Sequence, residues 1–137
     1  MTINSKQIIK ETTNFVKAYF QKEGTGHDWW HTSRVKDLGL KIASNDGGNL
    51  FIVEMSALLH DVGDYKFFNG DKQKGADIVA QFLNSLKLPS KTIDTILEIA
   101  TNISYMKTLS RDKSFFQNRK SPEFMAVSDA DRLDAIG

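Results

Sequence analysis

Apolar residues recur along this 137-residue chain at spacings of three and four, the period of a helix that buries one face. No stretch sustains the strict alternation of a half-buried strand, and only two prolines interrupt the pattern. An all-α domain of about six helices is therefore expected. The first helix runs from about Ser5 to Gln21, carries Ile8, Ile9, Phe15, Val16, Tyr19 and Phe20, and ends at Gly24-Thr25-Gly26. Asp28 is placed to cap a second helix in which His31, Val35, Leu38 and Ile42 share a face. A turn at Asn45-Asp46-Gly47-Gly48-Asn49 leads into an apolar run from Phe51 to Val62, whose stripe is Met55, Leu58, Leu59 and Val62. A fourth helix is expected from about Asp71 to Leu86, built on Ile78, Val79, Phe82, Leu83 and Leu86. A fifth starts at Pro89-Ser90 and reaches about Ile103 through Ile93, Ile96, Leu97, Ile99 and Ala100. Ser121-Pro122-Glu123 opens the last, with Phe124, Val127, Leu133 and Ile136 as its apolar positions.

Composition narrows the chemistry more than the fold. A chain of this length supports one core. Eighteen basic residues are nearly cancelled by 17 acidic ones, so the balance calls for neither nucleic acid nor a membrane surface. The absence of cysteine excludes disulfides and thiolate metal sites, so any metal must be held by histidine and carboxylate. The first residues, Met1 to Lys6, lack the apolar centre of a signal peptide and no run approaches a bilayer span, which makes the cytoplasm the default location. One segment departs from neutrality: between Ser104 and Lys120 the periodicity fails, and Lys107, Arg111, Lys113, Arg119 and Lys120 face a single acid, Asp112. That stretch reads equally as a flap that meets substrate phosphates and as a solvated charged loop.

The polar residues that break into apolar faces carry the functional signal. His60 and Asp61 follow an apolar helical run and precede Gly63, where an isolated carboxylate would cost several kcal/mol or take up a proton. They are either a hydrogen-bonded structural pair or half of a metal site. His31 looks inward from the first turn of its helix, and taken alone it reads as a core-edge histidine bonded to a backbone carbonyl. Asp64 lies one turn beyond His60 if the helix persists, placed either to handle a water at the site or to pair in solvent with Lys66. Asp129, Asp131 and Asp134 fall within six residues of one helix, too many among apolar neighbours for surface alone. Asp131, one turn beyond Val127, faces inward; Asp129 and Asp134 are solvated or orient ligand side chains. Trp29 and Trp30 either wall off a pocket or belong to the core.

Three flanked motifs stand in order: Gly26-His27-Asp28-Trp29-Trp30-His31-Thr32-Ser33-Arg34-Val35, Ala57-Leu58-Leu59-His60-Asp61, and Asp129-Ala130-Asp131-Arg132-Leu133-Asp134-Ala135-Ile136-Gly137. Together they resemble the HD-domain metal-dependent phosphohydrolases, and within that superfamily they are similar to a bacterial subfamily related to YedJ and YpgQ that includes nucleoside triphosphate pyrophosphohydrolases. The Ala130-Asp131-Arg132-Leu133 wording is also similar to the hydrolase domain of the (p)ppGpp synthetase/hydrolases. The resemblance implies an HD helical bundle with a metal site between helices, ligated by His31, His60, Asp61 and Asp131. It implies one divalent ion, Mn²⁺ or Mg²⁺ first, with Fe²⁺, Co²⁺ and Ni²⁺ as alternatives. Asp61 and Asp64 are the candidate catalytic residues, Asp64 for the attacking water; His27, Arg34, Lys66 and Arg132 are the candidates for substrate contacts. The expected reaction is hydrolysis of a (deoxy)nucleoside triphosphate to monophosphate and pyrophosphate. The alternatives are cleavage of a nucleoside monophosphate, cyclic nucleotide or (p)ppGpp, and a non-catalytic module binding a nucleotide or protein. The expected partner is a nucleotide or other phosphorylated small molecule, with no nucleic acid and no membrane; a homodimer is compatible. Members of the subfamily continue past the Asp-Ala-Ile-Gly segment, so residues 1–137 are expected to be a single HD domain whose carboxy-terminal part is missing after Gly137.

Overall fold

The computed structural model describes residues 4–23, 29–62, 72–108 and 121–136, and these form six α-helices. They are α1 (Ser5–Glu23), α2 (Trp29–Asp46), α3 (Leu50–Leu59), α4 (Lys72–Asn84), α5 (Ser90–Thr108) and α6 (Pro122–Ile136). The all-α reading holds. None of these helices is long and apolar enough to cross a membrane.

The short helix α3 is the axle of the bundle. It is apolar nearly all round, which is the pattern of a helix enclosed by others, and Val53 and every residue from Met55 to Leu59 are buried. On one side Met55, Leu58 and Leu59 pack with Val16 and Phe20 of α1, Val79 and Leu83 of α4, and Ile96 of α5. On the other, Val53 and Ala57 pack with Val35 and Ala43 of α2, Ile99 and Ile103 of α5, and Phe124, Val127 and Ala130 of α6. Two apolar clusters thus meet along α3 and α5.

Local chemistry explains where α3 starts and how it is held. Asn49 caps it, its side chain accepting from the Ile52 amide at 3.1 Å. The Asn49 amide in turn donates to Glu123 Oε2 at 2.6 Å, tying this turn to the first turn of α6. Gly48 sits between them at φ 121°, where a Cβ would stand 3.1 Å from the same Glu123 oxygen. At the start of α6, Ser121 Oγ accepts from the Phe124 amide at 3.1 Å, beside Pro122.

The structure departs from the sequence pattern in four places. The apolar run expected to be helical through Val62 leaves the α-helix after Leu59, and a Val62 amide to Leu59 carbonyl bond of 3.1 Å tightens the chain into a turn. Helix α5 continues to Thr108, since no glycine or proline stops it at Ile103; the basic stretch beyond Thr108 lies outside the described residues. On α2 the deepest stripe is Thr32, Val35, Gly39 and Ala43, while Leu38 and Ile42 are half-buried. These small residues let α2 approach closely, for a Cβ on Gly39 would meet Val53 Cγ1 at 3.3 Å. Finally, Leu133 and Ile136 are exposed rather than core. Nine residues of helix place Leu133 about half a turn round from Phe124, and the inward stripe is Phe124, Val127, Ala130 and Asp131.

Candidate metal centre

The turn after α3 buries His60 and Asp61, which are 1% and 5% exposed. Helix α6 brings Asp131, 1% exposed, because it lies seven residues, or two turns, along the stripe from Phe124. Helix α2 brings His31 in its first turn, with a side chain still 26% exposed. Of the four side chains, His31 is the most open to solvent.

The donor atoms converge. His31 Nε2 lies 3.2 Å from Asp131 Oδ1 and 3.5 Å from Asp61 Oδ2. His60 Nε2 lies 3.2 Å from Asp61 Oδ1 and 3.5 Å from Asp131 Oδ1. One ligand atom from each of His31, His60 and Asp131 falls within a group spanning 4.8 Å, and Asp61 offers one oxygen to each imidazole. Donors about 2.1 Å from a shared ion stand about 3.0 Å apart along an octahedral edge and about 3.4 Å apart in a tetrahedron. The four histidine–carboxylate spacings match. His60 Nε2 is moreover a buried atom with no hydrogen-bond partner among the described residues, although it points at two carboxylates. Two imidazoles and a carboxylate in this geometry make a site for a divalent metal.

The far nitrogens of both rings are occupied, which leaves each Nε2 aimed inward. His60 Nδ1 donates to the Ala57 carbonyl at 2.6 Å. His31 Nδ1 donates to Asp134 Oδ2, also at 2.6 Å. Asp134 is gripped from its other side by Arg34, Nε to Oδ1 at 2.6 Å and Nη2 to Oδ2 at 3.3 Å.

Charge follows the same geometry. Burial works against an imidazolium at His60, but Asp61 and Asp131 outweigh it and push the pKa from 6.5 up to about 9. His31 is also raised, chiefly by its bond to Asp131 and against the cost of burial, with help from Asp134. Arg34 first, and then His31, holds the Asp134 carboxyl below its usual range. Without an ion, protons on the imidazoles balance the carboxylates; a dication would replace them.

The sequence brought His31, His60, Asp61 and Asp131 forward as one set, and the structure places all four together. Asp134 was left open between solvent and an orienting role, and it contacts His31; its spacing of three from Asp131 is the signal that both sit near one end of α6. Asp129 is half-buried and Arg132 exposed. Arg34, 55% exposed, is tied to His31 through Asp134. Asp64, Lys66, His27 and Asp28 lie outside the described residues. Trp29 packs half-buried against the α1 side, with Lys17 Nζ 5.0 Å from its ring centroid, while Trp30 is 66% exposed. Not anticipated were Thr32 Oγ1 and Ser56 Oγ, fully buried hydroxyls without a hydrogen-bond partner among the described residues, next to His31 in sequence and one turn before His60.

A six-helix bundle with histidines and aspartates from three of its segments meeting at a buried centre defines a known class, and the profile of the HD domain matches residues 29–136. The chain belongs to the HD-domain family. Among its relatives is the uncharacterized protein YpgQ of Bacillus subtilis (strain 168), 34% identical over 129 residues, which are 93% of this chain and 60% of that protein. An HD-superfamily hydrolase from Bacillus thuringiensis superimposes with a TM-score of 0.76 at 34% identity, over 96% of this chain and 60% of that one. The crystal structure of B. subtilis YpgQ in complex with ADP gives a TM-score of 0.62 at 33% identity, over 91% of this chain and 61% of the other. The chain thus spans about three fifths of the length of these relatives.

Proposed function

We propose that the protein is a metal-dependent phosphohydrolase acting on nucleotides, and specifically that it converts a (deoxy)nucleoside triphosphate to the monophosphate and pyrophosphate. The observation that carries this reading is the convergence of two imidazoles and two carboxylates, from α2, the turn after α3 and α6, at 3.2–3.5 Å. Membership of the HD family supports it, as do the B. thuringiensis relative described as a hydrolase and the B. subtilis relative seen with ADP.

In this reading His31, His60, Asp61 and Asp131 hold one divalent ion, Mn²⁺ or Mg²⁺ first. Such an ion, when bound, polarises a phosphoryl oxygen and acidifies water. The two Nδ1–H bonds keep the Nε2 lone pairs turned inward, and the burial of His60, Asp61 and Asp131 keeps bulk water from most of the centre. Asp61 combines ligation with steering of the reacting groups, and Asp64 takes the proton of the attacking water. Arg34, held by Asp134, and Arg132 meet the phosphates together with Lys66 and His27.

The test is ³¹P NMR of a deoxynucleoside triphosphate pool incubated with the protein and Mn²⁺, then quenched with chelator, with Asp61→Ala and His60→Ala in parallel. Pyrophosphate from the wild type alone is the expected result. Orthophosphate as the sole product would move the cleaved bond, and full activity in either variant would exclude the assigned centre.

A further inference from the structure

The two imidazoles at the centre are held by different kinds of acceptor. His60 leans on the carbonyl of Ala57 in its own helix, and its ring is 1% exposed, so packing and backbone together fix its orientation. His31 has neither support. Its side chain is 26% exposed, and its Nδ1 reaches across to a carboxylate on another helix, 103 residues further along the chain. That carboxylate is held in plane by a two-pronged guanidinium grip from Arg34, one turn beyond His31 on α2.

A carboxylate that accepts from Nδ1 favours the tautomer with its proton there and leaves Nε2 as the donor atom, and it makes that nitrogen a stronger donor than a neutral acceptor would. A ring this open to solvent would otherwise exchange tautomers and rotamers, at an entropic cost when it is fixed on an ion. The arrangement on the far side of His31 is therefore more than a surface ion pair. Resting on the metal-centre reading above, we infer that Asp134 is the positioning residue of this centre: it sets the tautomer and direction of His31, and Arg34 clamps Asp134 in place. The centre then has one corner preset by backbone, at His60, and one preset by side chains, at His31.

The experiment is calorimetric titration of Mn²⁺ into the wild type, Asp134→Ala, Asp134→Asn and Arg34→Gln. Nitrogen-15 NMR of the ring nitrogens in the metal-free protein, at a pH where the ring is neutral, reads the His31 tautomer directly, since an ion on Nε2 would by itself fix the proton on Nδ1. Asp134→Ala should weaken Mn²⁺ binding about 10–100-fold. Asp134→Asn, which keeps an acceptor but loses the charge, should fall between it and the wild type, and Arg34→Gln should weaken binding less than Asp134→Ala. The wild-type spectrum should show a single His31 tautomer protonated at Nδ1, and Asp134→Ala should lose it; a residue with a merely structural role would change melting temperature without moving that signal. A folded Asp134→Ala that binds Mn²⁺ as tightly as the wild type, or keeps the same His31 tautomer, overturns the inference while leaving the metal centre standing. A wild type that binds no divalent ion overturns both.

Discussion

Raising the pH from 6.5 to 9 should act in opposite directions on the metal-free fold and on its affinity for metal. In the metal-free protein the pKa of His60 lies at about 9, because the attraction of Asp61 and Asp131 exceeds the cost of burying the charge. The folded value stands above the ordinary 6.5, so the stability it contributes is fully present below pH 6.5 and is lost as the pH rises through about 9. That gap corresponds to roughly 3 kcal/mol, with little discount for solvent because the ring is 1% exposed. His31 is raised as well and adds to the same loss. A metal needs both rings neutral, so every proton displaced makes the logarithm of the apparent affinity rise by about one per pH unit until the ring has titrated. Melting curves of the metal-free protein from pH 6.5 to 9 should show the fall in stability. Titrations of Mn²⁺ at pH 6.5, 7.5 and 8.5, in buffers of different ionisation enthalpy, should show affinity climbing with release of about one to two protons. An affinity that does not change with pH, with no proton released, would refute the assignment of the imidazoles as ligands.

Two further substitutions test the frame that carries the site. Gly39→Val should cost about 1–3 kcal/mol by overpacking, since even a first carbon there would stand 3.3 Å from Val53 Cγ1 and 3.9 Å from both the Ala126 carbonyl and Ala130 Cβ. It should also weaken metal binding by pushing α2, and His31 with it, away from α3; an unchanged urea midpoint would show that the helices are not in tight register. Asn49→Ala removes the cap of α3 and should cost about 1 kcal/mol in urea denaturation without altering metal affinity, because the bond it loses lies at the far end of α3 from His60. A loss of metal affinity equal to that of Asp134→Ala would contradict this separation.

The helical frame was legible because burial repeats with the period of the helix. Met55, Leu58, Leu59 and Val62 follow the expected stripe, as do Val79, Leu83 and Ile96, and all are fully buried. What the pattern could not supply was the second face of α3. A run in which Val53, Ser56 and Ala57 are buried along with the stripe has no polar side to set its orientation, so the sequence left it one-sided. Nor does periodicity distinguish the true inward positions of α6 from Leu133 and Ile136, since the deciding residues there are Ala126 and Ala130, too small to mark a face by themselves. Asp61 and Asp131 were legible for the opposite reason, each being a carboxylate where apolar packing leaves no inexpensive alternative, while His31, 26% exposed, was legible as a ligand only through the ordered motifs that resemble the family. Asp134 was the least legible, because a carboxylate near a helix end is ordinary, and only the crossing of α2 with α6 gives it His31 to hold.

The end of α3 shows why fold and site are the same problem in this protein. An enclosed apolar helix anchors both halves of the core, and it stops at Leu59, where the chain must turn inside the molecule rather than at its surface. The turn buries His60 and Asp61, and α6 adds a second carboxylate within 3.5 Å of the same imidazole nitrogen. Two carboxylates packed this closely repel unless positive charge lies between them or one of them takes up a proton. Below the His60 pKa of about 9 that charge is supplied by the imidazole proton, and above it a bound cation can take its place. The centre is thus a conditional part of the core: binding the ion relieves a buried charge conflict in the fold, and the more alkaline the solution, the larger the share of stability that the ion must provide.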